Sequence, residues 1–196
     1  AAERPQVQFI AVSPLPLEAS ANLAVIRSDP LQEAFAAGFL SIMLTPDWRS
    51  AGIFSAVDSA PVDAFQNGGR YFCGDCAPGW PLGERYPKVG TPGDVQNLIN
   101  TMKAEVFYLS AEAITPELVA SLAGKTQLQR AIIVFGNTSA PPELQPQWAA
   151  SLTLDLQTAL GSALSEAFAG RSAGALSADI TLTQVNPDLL SPGKQE

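Results

Sequence analysis

Short apolar runs alternate along this chain with longer stretches in which apolar residues recur every three or four positions. Residues 7–13 (VQFIAVS) and 21–27 (ANLAVIR) are short, apolar and partly β-branched, the pattern of buried strands, and the first of them ends in Pro14. Asp29-Pro30 then marks a helix start with proline at the first helical position. Leu31, Phe35, Phe39 and Met43 recur at four-residue spacing, which predicts a helix of about four turns. Residues 51–57 (AGIFSAV) read as the next strand, and Asp58-Ser59-Ala60-Pro61 opens a helix over 62–72. A short strand candidate at 88–91 precedes Pro92-Gly93-Asp94, which caps a helix over 95–104. Residues 106–110 (VFYLS) form a strand, and Thr115-Pro116-Glu117 starts a helix over 118–123 that Gly124 ends. The run 131–135 (AIIVF) is continuously apolar, as in the middle of a parallel sheet.

Beyond Phe135 the texture changes. Pro141, Pro142 and Pro146 rule out a long helix over 137–147, and a hinge or domain edge is placed there. Leu152, Leu156, Leu160, Leu164 and Phe168 then give an amphipathic helix over 151–169, ending near Gly170. Residues 178–185 (ADITLTQV) alternate as a half-exposed edge strand does, and the tail 186–196 reads as loop. Strands alternating with helices imply right-handed βαβ units, hence an α/β fold with a doubly wound, mostly parallel sheet and helices on both faces. Ligands of such folds bind at the carboxyl ends of the strands. That rule points to Asp58 and Ser59, residues 91–93, Ser110 with its two successors, and Asn137 with its neighbours. Thr91, Asp94 and Thr115 are also the residue types preferred as helix caps, so capping competes with ligand binding as their role and is the favoured reading.

Composition narrows the chemistry. With 46% hydrophobic and 15% charged residues the chain is apolar enough to fold. A net charge of -8, with 11 Lys plus Arg and no basic cluster, argues against a nucleic-acid polymer or an anionic membrane surface as partner. The longest apolar run, 34–44, is interrupted by Gly38 and Ser41 and is about half the ~20 residues of a bilayer span. Residues 1–12 lack a basic stretch followed by an apolar one, so either the protein is cytosolic or a leader was removed. Histidine is absent, which excludes a Ser-His-Asp triad, a Cys-His dyad and the usual imidazole zinc site. No phosphate-binding glycine motif follows a strand. Nothing pairs a nucleophile with a base, so the sequence points away from an enzyme and calls for no cofactor and no metal.

Cys73-Gly74-Asp75-Cys76 has the CxxC spacing of redox centres, but it lies at the end of the helix over 62–72, where the helix dipole disfavours a thiolate. A local disulfide, free thiols, and redox or metal chemistry all fit that spacing. Trp48, Trp80 and Trp148 lie near loops and serve either as core caps or as stacking platforms, with Trp148 favoured as a platform because it borders the proline-rich connector. Arg27 either meets a ligand carboxylate or phosphate or pairs with a nearby acid. Asp58 accepts from vicinal hydroxyls and Asn137 both donates and accepts, a pair suited to a sugar or nucleoside.

The stretch 27–44 (RSDPLQEAFAAGFLSIML), the stretch 51–72 (AGIFSAVDSAPVDAFQNGGRYF) and the order of 106–110, 131–137 and 150–170 resemble the basic membrane protein family. These are lipoproteins of the type I periplasmic-binding-protein fold that include nucleoside receptors of ABC transporters. The resemblance implies that residues 1–20 are the last part of a first lobe and that 21–140 form a second α/β lobe. Residues 141–196 then supply the hinge return, an amphipathic helix and an edge strand. It implies an extracytoplasmic solute-binding component of an uptake system, lipid-anchored, with a small polar ligand and an ABC transporter permease as partners. The remainder of the first lobe, or a second copy, completes it, and an exported location makes a Cys73–Cys76 disulfide natural. The chain departs from the family at Ser110-Ala111-Glu112, where a glycine-rich turn is usual, and at Asn137, where an aspartate is usual. These altered strand ends favour a second reading, a non-transport interaction or sensor module that keeps the fold without its original ligand.

Overall fold

In the computed structural model, which describes residues 1–190 except Pro14 and Pro16, the alternating pattern folds as alternating strands and helices. In chain order these are β1 (Phe9–Ser13), β2 (Leu23–Arg27), α1 (Pro30–Met43), β3 (Ser50–Ile53), α2 (Ala60–Cys73), β4 (Lys88–Gly90), α3 (Val95–Asn100) and β5 (Val106–Leu109). They are followed by α4 (Pro116–Leu122), the short hairpin β6 (Thr126–Gln127) and β7 (Arg130–Ala131), β8 (Ile133–Gly136), β9 (Trp148–Leu154), α5 (Leu156–Phe168), β10 (Ala175–Ser177) and β11 (Ile180–Thr183). Among the described residues no helix is long and apolar enough to cross a membrane.

The chain divides into two compact units. The first consists of Ala1–Pro30 with Thr153–Thr181, and the second of Leu31–Leu152 with the chain from Leu182 on. In the first unit β1, β2 and β10 form a three-stranded sheet with β2 in the centre, and both pairings are parallel. Its core is small: Ala24 and Ile26 of β2 meet Ala159 and Ala163 of α5 and Ala178, with Ile10, Leu156 and Leu160 packed around them.

The second unit carries the order β11-β9-β8-β5-β3-β4, in which β4, β3, β5, β8 and β9 run parallel. All four side chains of β5 are buried. Because side chains alternate across a strand, Phe107 and Leu109 face one layer, where they join Val95, Leu98, Leu118, Leu122 and Trp148. Tyr108 faces the other layer, its ring 5.6 Å from Phe65, 5.7 Å from Phe54 and 5.4 Å from Phe135. On that face α1 and α2 cross in close contact, and glycine makes the crossing possible. A Cβ on Gly38 would overlap the Phe65 carbonyl, and one on Gly68 would overlap the Phe35 carbonyl. A buried ion pair, Arg49 Nη2 to Glu105 Oε1 at 2.8 Å, sits just before β3 and β5, at the opposite end of the sheet from the strand exits.

The expected elements are present, with differences that have physical causes. In the segment 137–147, Pro142–Gln147 forms a 3-10 turn within the second unit. Leu144 is buried there, and the Gln147 side chain donates to the Ile132 carbonyl and accepts from the Gly124 amide. The chain passes between units at 30/31, 152/153 and 181/182, and β2 pairs along its whole length with β1 within the first unit. Residues 151–154, expected to begin the amphipathic helix, are the end of β9. The helix starts only at Leu156, where Asp155 Oδ1 accepts from the Thr158 amide at 3.0 Å and caps it. Leu152 therefore belongs to β9 and is buried, while Leu164 and Phe168 at the far end of α5 are exposed. As expected from its alternation, β11 lies at the sheet edge. Pro14, the expected end of the first strand, and residues 191–196 of the expected tail lie outside the described residues. The α1–α2 crossing makes a direct prediction: Gly68→Ala lowers the unfolding free energy by about 1–3 kcal/mol, the usual cost of overpacking. Urea unfolding midpoints measure it, and an unchanged midpoint contradicts the close approach.

Candidate functional site

Parallel strands deliver their carboxyl ends to one edge, so in the second unit the residues after β3, β5 and β8 gather there together with the first turns of the returning helices. Asn137, one residue past β8, is the centre of the arrangement. Its Oδ1 accepts from the Ala111 amide at 2.7 Å, and its Nδ2 donates to Glu33 Oε1 at 2.5 Å. One amide side chain thus ties the turn after β5 to the first turn of α1, using its acceptor and a donor in the single orientation that satisfies both. Tyr108, buried beneath, has its hydroxyl against Glu33.

The electrostatics follow from that placement. Burial pushes the Glu33 carboxyl above its ordinary value and Glu112 adds to the effect, while the hydrogen bonds from Asn137 and Tyr108 oppose it. Burial, followed by the nearby Glu33 charge, raises the Tyr108 phenol as well. Ser110 adds a feature of a different kind: it is 5% exposed, and its hydroxyl oxygen is buried with no hydrogen-bond partner among the described residues. A buried hydroxyl left unpaired is costly, which sets Ser110 apart from the satisfied polar groups around it. Among the described residues, cations of this unit keep to the opposite edge: Arg49 precedes β3, Lys88 opens β4, Lys103 precedes β5 and Arg130 opens β7. The strand-exit edge is consequently acidic, with Asp58, Glu33 and Glu112.

The site residues expected from sequence divide into groups. Ser110 and Asn137 stand together at this edge. Asp58 is exposed in the loop after β3, and Ser59 is the N-cap position of α2 with its hydroxyl making no capping bond; neither is bonded to the Glu33–Asn137 pair. Trp148 is not a stacking platform: it is 2% exposed, part of the main core, and its indole donates to Ser151 Oγ at 3.0 Å. Arg27 ends β2 in the first unit, and its Nη2 donates to the Leu17 carbonyl at 3.2 Å rather than pairing with an acid. Cys73 and Cys76 are joined as a disulfide at the far end of α2, packed with Ile42, Tyr86 and Trp48, remote from the helix start that faces the strand exits. Thr91 and Asp94 bond each other in a capping box of the 3-10 turn Pro92–Asp94 that leads into α3, Asp94 makes no side-chain cap on α3 itself, and Thr115 caps α4 by accepting from the Leu118 amide. Glu33 was not singled out in the sequence. Its signal was an acid in the first turn of a helix following a strand, which is also what the helix dipole favours anywhere.

No family model and no curated protein matches this chain. Among solved structures, an ABC transporter solute-binding protein from Conexibacter woesei is similar with a TM-score of 0.71 and 16% identity, over 95% of this chain and 64% of that one. A solute-binding protein of an ABC transporter system from Aeropyrum pernix gives 0.60 at 15% identity, over 97% and 57%. A glucose-galactose binding protein from Geobacillus stearothermophilus gives 0.55 at 12% identity, over 92% and 69%. The chain spans less than two thirds of the length of the first two. At these identities the likeness is one of fold: the chain has the mostly parallel α/β fold of these solute-binding proteins.

The raised Glu33 value carries a sign for stability. A carboxyl whose folded pKa lies above its unfolded value near 4.5 contributes stability that is present below that value and lost as pH rises through the folded one. Glu33→Gln keeps the acceptor for Asn137 and removes the titration. Its stability relative to the parent therefore increases on going from about pH 4 to about pH 7. Denaturant midpoints of both proteins at the two pH values measure this, and a difference independent of pH contradicts the assignment.

Proposed function

We propose that the chain is the larger part of an extracytoplasmic solute-binding protein of an ABC-type uptake system, related to the basic membrane protein family. In this reading it binds a small polar ligand and does no chemistry on it. The observation that carries the reading is the Glu33–Asn137–Ala111 cluster with the unpaired Ser110 hydroxyl, at the strand exits of a fold shared with solute-binding proteins. Acids at that edge and cations at the other favour a ligand rich in hydrogen-bond donors, a neutral sugar or nucleoside, over a carboxylate or phosphate. Asp58 and Ser59 on the neighbouring loop supply further polar groups to it. A permease, a lipid anchor and the remainder of the first lobe complete the proposed system, in which ligand capture between two lobes is read as closure.

Calorimetric titration of the chain with neutral monosaccharides and nucleosides, beside their phosphorylated counterparts, tests the proposal. A neutral ligand binds, its phosphorylated form binds more weakly, and Asn137→Ala or Asp58→Ala loses about 1.5–3 kcal/mol, the range for hydrogen bonds involving a charged group. Equal affinity of parent and both variants for an identified ligand rules out this site.

A further inference from the structure

A cavity of about 330 Å³ opens between α4 and the 3-10 turn Pro142–Gln147, and none of the residues lining it belongs to the Glu33–Asn137–Ala111 cluster. Ile114, Pro116, Val119 and Ala120 make its wall chiefly apolar, Thr115 adds a hydroxyl, and Glu143 is the one charged residue that lines it. Small-molecule sites have this size and this make-up, apolar walls with a few placed polar groups.

Both walls are fixed by the backbone. On one side Thr115 caps α4 and Pro116 holds its first residue. On the other, Pro141, Pro142 and Pro146 restrict the turn, and Gln147 pins its end to the Ile132 carbonyl and the Gly124 amide. Leu144 is buried beneath, which leaves its neighbour Glu143 exposed. Val119 and Ala120 are too short to fold across the opening, so the cavity needs little reordering before it takes a ligand.

The charges say which ligand fits. Among the described residues no ion pair engages the Glu143 carboxylate. Residues 104–124 and 132–170, the stretches that supply both walls, contain no Lys and no Arg, while Glu112 and Glu117 flank the α4 wall. An anion entering here meets carboxylates with no counter-charge, and a neutral apolar molecule leaves Glu143 unpaired. A cation with an apolar body satisfies the wall and the carboxylate together. No aromatic ring lines the cavity, so the π-face that quaternary ammonium ions favour is missing. A primary ammonium, which donates N–H groups to a carboxylate, is the cation these residues suit.

We propose that this cavity is a second binding site, for a primary alkylammonium ion whose short alkyl chain lies on Val119 and Ala120 and whose ammonium donates to Glu143. The proposal is independent of the ligand reading at Asn137. Amide NMR spectra of the full chain, titrated at neutral pH and low salt with butylammonium, butanol and butyrate, test it. Butylammonium produces saturable shifts at Ile114, Thr115, Val119, Ala120 and Glu143. It binds about fivefold more tightly than butanol, the upper range for an exposed ion pair, and butyrate binds more weakly than either. Glu143→Gln brings butylammonium down to the affinity of butanol, and Glu143→Lys reverses the order so that butyrate binds best. Ala120→Leu, which fills the cavity from an exposed helix position, abolishes the shifts for all three, while the dispersion of the same spectra confirms that each variant is folded. Absence of saturable shifts, saturation confined to other residues, equal affinity for butylammonium and butyrate, or an order of affinities that the Glu143 variants leave unchanged overturns the proposal.

Discussion

A parallel sheet exposes no face to water, and that requirement organises the second unit. Antiparallel sheets can leave one side wet, but parallel strands joined by returning helices are covered on both. The four buried residues of β5 meet it directly, Phe107 and Leu109 against α3 and α4, Tyr108 against Phe65 of α2. Covering the second face with two helices demands that α1 and α2 approach closely, and Gly38 and Gly68 remove the side chains that would hold them apart. The same crossing brings the first turn of α1, with Glu33, to Asn137 at the strand exits. Stability and site geometry thus rest on one packing arrangement.

The acidity of the strand-exit edge has the same origin. Every returning helix begins there, and helix starts favour acidic residues while helix ends favour basic ones. Glu33, Asp63 and Glu117 lie in first turns, and Arg70 lies in the last turn of α2. Crowding acids at one edge has a limit, and Asn137 marks it. An aspartate at 137 would set a second carboxylate at hydrogen-bond distance from Glu33 in a partly buried place. The amide instead donates to Glu33 and accepts from the Ala111 amide. The amide at 137 is therefore matched to its local partners.

Much of the fold was legible from its periodicities, though not in every detail: the run 131–135 divides between β7, paired with β6, and β8, and the four-residue spacing of Leu31, Phe35, Phe39 and Met43 located α1 but not its buried face, which is Ala34, Ala37, Gly38, Leu40, Ser41 and Ile42. Ambiguity arose where one spacing serves two structures. Leu152 and Leu156 fit a helical stripe, yet Leu152 sits in β9 and the helix waits for the cap at Asp155. Prolines at 141, 142 and 146 exclude a long α-helix, but they do not distinguish a hinge from a 3-10 turn pinned by Leu144 and Gln147. Within the site, Asn137 and Ser110 were readable from their place after strands. Glu33 was not, because its contact spans 104 residues of sequence. Trp148 misled because proximity to a proline-rich loop says nothing about which way an indole packs.

The central claim is that polar groups at the exits of β5 and β8 receive the ligand. Hydrogen exchange of backbone amides, followed by mass spectrometry with and without a neutral sugar or nucleoside found to bind, tests it most directly. The account predicts slowed exchange in peptides spanning 110–114 and 136–140, with the disulfide loop 74–87 unaffected. Protection confined to that loop, or to segments remote from Asn137, would contradict it.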